Sequence, residues 1–299
     1  MFTSRFENGV ICEIDYSSLE VIMNCALAKD RKLKELLDAN TDMHCYRLAF
    51  SENMDYQTVY NLCHDEEGAD YKLWKAKRTA IKTKSFAVQY GASAAGVAYN
   101  TGCELSEAVR FIENEQKMFP TSAAFRDEVL QEVERTSQFT TNGTYLTIDN
   151  EVVFAKTGYW TSPSGMRYEF RQSPKWYWEK GKKKFNMIFK QTQIANYWCQ
   201  GEAFTLMAIA FGQILDALLS CNFFNNKVCL ITNVHDAVYL DCDGYEVGKK
   251  AGLLVKEKMQ QAKHILSDIS NHKFGIIDEV EFPAVLEIGD SMLNKHVVQ

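Results

Sequence analysis

Two apolar, β-branched-rich runs, 227–234 and 237–242, are separated by only two residues, His235-Asp236. Runs of that length and composition read as strands, and a two-residue link makes them an antiparallel hairpin. Any sheet that contains this hairpin carries an acid, Asp236, at its tip. Two further strand patterns lie far off in sequence: Val10–Ile14, which ends against Asp15, and Ala284–Ile288 near the end of the chain. Asp15 and Asp236 thus share a kind of position, the end of a strand, where a scaffold holds a side chain rigidly.

The intervening sequence is mostly helical in pattern. Ser17 through Ala28 reads as a helix, with Ser17 and Glu20 spaced as a capping box. Asp30 can cap a second helix through Leu37, and Thr41 or Asp42 a third that carries His44. Residues 68–89 form a long helix, and Ser106–Phe119 and Thr121–Thr136 two more. From 137 to 170 Thr, Tyr, Val and Gly dominate, with Asn142-Gly143 as a turn signal, which predicts short strands. A helical pattern runs from about Phe185 to Ser220 with a break near Gly201, and another covers 246–269. There is no repeat, no low-complexity tract and no Pro/Gly-rich linker, so a second domain has to be an insertion.

Within the long helix, Arg78, Lys82, Phe86 and Tyr90 recur every fourth residue and Gly91 follows. That step places them on one slowly spiralling stripe, cations first and aromatics after. Cations hold phosphates and rings stack on sugars or bases, so the stripe suits a nucleoside triphosphate. A solvated cationic face with aromatics at the core boundary has the same pattern.

Charge narrows the classes of partner. The net charge of −6 argues against a protein coated in nucleic acid, yet the lysines are bunched. One bunch is Lys72, Lys75, Lys77, Arg78, Lys82 and Lys84; the other is Lys175, Lys180, Lys182, Lys183, Lys184 and Lys190. Screening keeps such fields local, so basic patches can meet phosphates on an acidic protein. The second bunch, with Gly181 inside it, reads as a solvated loop. No eighteen consecutive residues are apolar, so no membrane span is expected. The nine cysteines include no C-x-x-C pair, which suits reduced thiols of a cytoplasmic protein. Cys63-His64 is a candidate zinc pair without a second pair at finger-like spacing.

Two rigid aspartates can bridge a pair of Mg²⁺ ions for in-line phosphoryl displacement. Each can equally serve only its own turn. Here the residues carry a resemblance. Asp15-Tyr-Ser-Ser-Leu-Glu20 resembles the D-Y-S-x-x-E motif of family A DNA polymerases, and Val234-His235-Asp236 their V-H-D. Arg78-x3-Lys82-x3-Phe86-x3-Tyr90-Gly91 matches their nucleotide-binding fingers helix. Asn196-x3-Gln200-Gly201 is similar to a palm segment in the N-Y-x-x-Q-G form of phage members, and Asp42-Met43-His44 to the family's D-I-H. The likeness spans nearly the whole chain, through Gly289-Asp290.

The resemblance implies an α+β fold: an antiparallel palm sheet packed with helices, from residues 1–28 and 186–299, with mainly helical fingers inserted at 29–185. It implies template-directed DNA synthesis with two Mg²⁺ ions held by Asp15, Asp236 and the Tyr16 carbonyl. Arg78, Lys82 and His44 would hold the dNTP, Lys82 would also protonate the leaving pyrophosphate, and Phe86 would pack on the sugar. Tyr90 would lie beside the templating position, and Glu20 would fill the space of a ribose 2′-hydroxyl. Asn196, Gln200 and His235 would contact the DNA primer-template. Trp160, Trp176, Tyr177 and Trp178 are left as packing residues. An acid usual after the His-Asp pair is Ala237 here, and an arginine expected before Asn196 is Thr192. With no thumb in the sequence, the expectation is one half of a split polymerase of phage type, working in the cytoplasm (the host's if phage-encoded), whose separate partner polypeptide carries a thumb, with a 3′-5′ exonuclease as an optional addition. Two other readings stay open: a single-subunit RNA polymerase, against which Glu20 and Phe86 argue, and a non-catalytic replisome subunit, against which the intact metal and triphosphate residues argue.

Overall fold

A computed structural model describes residues 2–139, 145–148 and 151–298. The predicted Asn142-Gly143 turn lies outside the described residues. The chain forms two compact units: residues 1–27 with 199–299, and residues 28–198. The sequence reading returned to the palm at 186, whereas the second boundary here falls at Cys199, inside a helix.

The first unit is built on one antiparallel sheet. Its strands are β1 (Val10–Tyr16), β9 (Val228–Val234), β10 (Ala237–Cys242), β11 (Ala284–Gly289) and β12 (Lys295–Val297), in the order β12-β11-β1-β10-β9. β1 is therefore central, with β10 and β11 on its flanks. Alternation along β1 separates two faces. Cys12, Ile14 and Tyr16 are buried, while Glu13 and Asp15 are only partly covered. The buried face lies under α11 (Tyr245–Ile269), the helix predicted over 246–269. Gly248 and Gly252 make that approach close. A Cβ at Gly248 would stand 2.8 Å from Val10 Cγ2, and one at Gly252 2.5 Å from Leu286 Cδ1. The Tyr16 hydroxyl donates to the Met259 carbonyl at 2.5 Å, which fixes strand against helix.

The second unit holds a run of short helices. They are α2 (Arg31–Asp38), α3 (Met43–Glu52), α4 (Tyr56–His64), α5 (Tyr71–Gln89), α6 (Ala94–Thr101), α7 (Leu105–Met118) and α8 (Pro120–Arg135). Asp30, Asp42 and Asp55 cap α2, α3 and α4 through backbone N–H groups. Cys45, Leu48, Val59, Cys63, Trp74, Ile81, Val88, Val97 and Phe111 share one core. Three small sheets follow: β2 (Gln138–Phe139) with β5 (Lys156–Thr161) and β6 (Arg167–Arg171); β3 (Tyr145–Ile148) with β4 (Glu151–Phe154); and β7 (Ser173–Glu179) with β8 (Lys182–Ile188).

The structure corrects several expectations. The helix at residue 17 starts two residues later, as α1 (Leu19–Ala28). Ser18, with φ 57°, precedes its first turn, and its carbonyl accepts from Val21 and Ile22 N–H. Glu20 therefore sits one place early for a capping box. Phe185 belongs to β8, and α9 (Gln191–Ser220) runs through Gly201 without a break. The second lysine bunch is a hairpin, not a loop. α9 is long and apolar enough to cross a membrane, which the test for an unbroken apolar run missed. It has the make-up of a core helix: Ile194, Ala195 and Trp198 are buried in the second unit, and Leu206, Ala210, Ile214 and Leu218 in the first. A left-handed single turn, α10 (Asn222–Asn226), leads into β9.

Candidate active site

The acidic residues of the first unit are brought together by strand register. Asp15 pairs with Ala237, the first residue of β10, and Tyr16 N–H reaches the Asp236 carbonyl at 3.4 Å. Asp15 is thus next to the β9–β10 turn that carries Asp236. That turn is a two-residue loop closed by the Val234–Ala237 pair. His235 takes φ 55° there, the left-handed backbone such a turn demands.

Charge accumulates on this face. Burial, then Asp236, Glu13 and Glu287, push the Asp15 carboxyl up to about 6. Asp15 Oδ1 is buried without a hydrogen-bond partner. Among these acids Glu13 has a cation at hand, Lys295 Nζ at 2.6 Å. A buried carboxylate oxygen without a donor, beside a second aspartate, is what a hard divalent cation takes as ligand. The donor set fits the implied metal. Glu13 and Glu287 also place carboxylates on this face although the residue after Asp236 is Ala237.

Glu20 and Gln200 meet as well: Gln200 Nε2 donates to Glu20 Oε1 at 3.3 Å, and Cys199 Sγ to the Glu20 carbonyl at 3.3 Å. The Glu20 carboxylate therefore faces the start of α9 within this unit. His235 and Gln200 are exposed.

The cationic residues of the second unit form a separate cluster on α3 and α5. The stripe on α5 survives in three dimensions. Ile81, Ser85 and Val88 turn inward, while Lys82 and Phe86 are exposed. Phe86 and Tyr90 rings lie 6.5 Å apart and nearly parallel, and Lys82 Nζ stands 6.0 Å from the Phe86 centroid. His44, arriving from α3, lies 6.1 Å from Phe86.

One carboxylate ties the two helices. Asp42 Oδ1 accepts from the N–H groups of His44 and Cys45, while Oδ2 takes both Arg78 Nε (2.9 Å) and Nη2 (2.7 Å). Burial alone would raise the Asp42 carboxyl, but Arg78 and those N–H groups outweigh it and hold it below its usual value. Burial, then Arg47 and Arg78, pull the His44 imidazole down to about 4. His44 is therefore neutral at pH 7 and offers a phosphate a hydrogen bond, not a charge. Its Nδ1 is buried without a partner.

Of the candidate pair Cys63-His64, His64 joins a cluster of donors through Cys45 and not Cys63. Asp42, Cys45 and His64 bring donor atoms within 4.8 Å of one another. The Arg78 guanidinium already supplies the positive charge there. Asn196 belongs to the second unit, with Oδ1 buried and unpartnered. Trp160 is a packing residue as expected, against Phe125, Tyr168 and Trp198. Sequence reasoning missed the Asp42–Arg78 tie. In the sequence Asp42 stands as a candidate cap of α3 and as the first residue of the D-x-H motif, and neither reading joins it to Arg78.

A profile of DNA polymerase family A matches residues 1–289, and the chain belongs to that family. It is 26% identical over 256 residues to the thermostable DNA polymerase I of Thermus filiformis, which covers 86% of this chain and 25% of that one. DNA polymerase I of Streptococcus pneumoniae R6 is 24% identical over 262 residues, 87% of this chain and 25% of the relative. The chain thus spans about a quarter of the length of these relatives. Its fold is similar to the POL domain of Pol1 from M. smegmatis, solved in complex with DNA primer-template and dNTP. The TM-score is 0.62 over 97% of this chain and 41% of that one, at 16% identity.

Proposed function

We propose that the chain is the palm and fingers portion of a phage-type DNA-directed DNA polymerase. The observation that carries this is Asp15 beside the Asp236 turn, with a buried carboxylate oxygen left for a cation. In the reaction the primer 3′-oxygen forms a bond to the α-phosphorus of a dNTP, the bond to the β-phosphate oxygen breaks, and pyrophosphate leaves. The 3′-hydroxyl gives its proton to water, and Lys82 supplies one to the leaving group.

Asp15, Asp236 and the Tyr16 carbonyl are the residues to hold two Mg²⁺ ions. When bound, these supply charge neutralisation and a lowered pKa for the attacking hydroxyl. The remaining work is positioning and electrostatics. Arg78, oriented by Asp42, and Lys82 bind the triphosphate, with neutral His44 as an added donor. Phe86 packs on the sugar and Tyr90 beside the templating position. Glu20 occupies the space of a 2′-hydroxyl, while Asn196, Gln200 and His235 touch primer-template. The free thiols of the described residues suit a reducing host cytoplasm.

The test is primer extension by the full chain, with and without candidate partner polypeptides. Incorporation of the template-directed dNTP, abolished by EDTA and by Asp15→Asn, is expected. Faster extension with rNTPs, or equal extension by Asp15→Asn, overturns the reading.

A further inference from the structure

The β7–β8 hairpin has no part in the chemistry above, yet its composition is unusual. Its sixteen residues, 173–188, carry five lysines against one glutamate in a chain of net charge −6. It forms a two-stranded sheet of its own, joined by Lys180-Gly181 with φ 49° and 75°. Both values are left-handed, which gives the tight turn that matches strand twist.

Register sorts the side chains. Trp176 pairs with Phe185 and Trp178 with Lys183, so these four share one face. Tyr177 pairs with Lys184 and Glu179 with Lys182 on the other. Trp178 is 73% exposed. Trp176 holds its shape through Phe185 at 5.1 Å and Lys183 Nζ at 4.3 Å from its ring.

Two accounts compete. Lysines on an open strand edge block unwanted strand pairing, and that alone explains a basic hairpin. It does not explain the tryptophans, which an edge guard has no use for and which water disfavours. Flat rings interleaved with cations fit one ligand chemistry, a polyanion with exposed aromatic faces. Duplex offers the anion but keeps its bases stacked inside; only an unpaired strand offers both.

We propose that the β7–β8 hairpin binds single-stranded nucleic acid, with Trp178 and Trp176 stacking on bases and Lys183, on the same face, meeting a phosphate. The inference rests on the polymerase reading only for the source of the strand, either unpaired template or a strand displaced ahead of synthesis.

The test is fluorescence anisotropy of the full chain with a labelled oligothymidylate, against duplex competitor, over a salt series. Trp178→Ala is expected to weaken binding roughly tenfold with the salt slope unchanged, and Trp178→Phe to restore most of it. Lys183→Ala should lower the slope of log affinity against log salt by about 0.7, and Lys184→Ala, on the opposite face and paired to Glu179, should leave it unchanged. Tyr99→Ala, an equally bare aromatic on α6, should change nothing. Trp178 is too exposed for its loss to unfold the chain, and circular dichroism checks this. Wild-type affinity in Trp178→Ala, or duplex competing as well as single strand, overturns the proposal. Substrates with a long template overhang and with a displaced flap then separate the two sources. Incorporation by wild-type chain at a single templating base tests the polymerase reading by itself, so the two failures are distinguishable.

Discussion

The acidic and the cationic residues are organised by different physics. Asp15 and Asp236 meet because backbone hydrogen bonds put β1 beside the β9–β10 turn; no side chain selects the partner. His44 and Arg78 meet because the side chain of Asp42 holds the start of α3 and the guanidinium of α5 together. A backbone-built arrangement survives substitution of its own members, while a side-chain-built one fails with its tie. The two also carry opposite electrostatic burdens. Burial and like charges make the Asp15 anion costly, and burial and cations make the His44 cation costly.

The largest effect expected is from the acids. Asp15→Asn or Asp236→Asn should lower single-nucleotide incorporation by about a thousandfold or more, on the scale of lost electrostatic catalysis. Since register, not the carboxylate, places these residues, thermal stability should hold in both. Loss of fold along with activity would show that the backbone picture is wrong.

Next come two lysines two residues apart on α5. Lys82 is exposed, so Lys82→Ala should raise the KM for dNTP and lower kcat with no change in Tm. Lys84 points inward, buried and ion-paired to Glu107. Lys84→Ala should leave the chemistry and cost about 1 kcal/mol of stability, because the packed Lys84 stem is lost while half-exposed Glu107 stays solvated. Urea midpoints and steady-state kinetics on both variants separate the roles. Equal kinetic defects would remove the stripe as the binding surface.

That pair also shows what the sequence reveals and what it hides. The four-residue spacing of Arg78, Lys82, Phe86 and Tyr90 is a property of one helix, so periodicity exposes it. The β9–β10 hairpin was legible for the same reason, as both strands and their turn are contiguous. Lys84 belongs to the same cationic run, and only packing against α7 marks it as buried. The Asp42–Arg78 tie joins residues far apart in sequence, and nothing local announces it. The β7–β8 hairpin escaped because Lys180-Gly181 lacks the usual Asn-Gly turn chemistry and its lysines suggested a solvated loop.

The third effect is the opposite pH dependence of the two regions, measured as Tm in EDTA. The unfolded chain protonates the His44 imidazole near 6.5 and the folded chain only near 4. Between those values the unfolded state holds more protons, so His44 makes stability fall as pH drops from about 6.5 to about 4. Asp15 works the other way: its folded value near 6 lies above its usual 3.8, so stability falls as pH rises through that window. His44→Gln should therefore flatten or invert the wild-type slope between pH 4 and 6, and Asp15→Asn should steepen it. Asp42, whose value is depressed, stabilises above its usual range and loses that contribution below it. Asp42→Asn keeps a good helix cap while releasing Arg78, so it should raise the KM for dNTP with a small loss of Tm. Identical pH slopes in all three proteins would show that these environments do not persist in solution.

The smallest effect concerns Glu20, where both kinds of organisation meet. Its position on α1 follows from backbone, one residue early for a capping box, so the helix start does not need its carboxylate. Its side chain nevertheless has an acceptor role, receiving the Gln200 amide at 3.3 Å. If that contact holds the carboxylate where a 2′-hydroxyl would lie, Glu20→Ala opens a space of a few atoms. Pockets of that size discriminate by about 1–3 kcal/mol, so the rNTP-to-dNTP incorporation ratio should rise about tenfold or more. Gln200→Ala removes the donor but leaves the carboxylate in place, so it should move the same ratio by less. Helix stability should hardly change in either variant. A ratio that stays fixed while Tm drops by the amount of a lost cap would return Glu20 to a structural role, and the Gln200 contact with it.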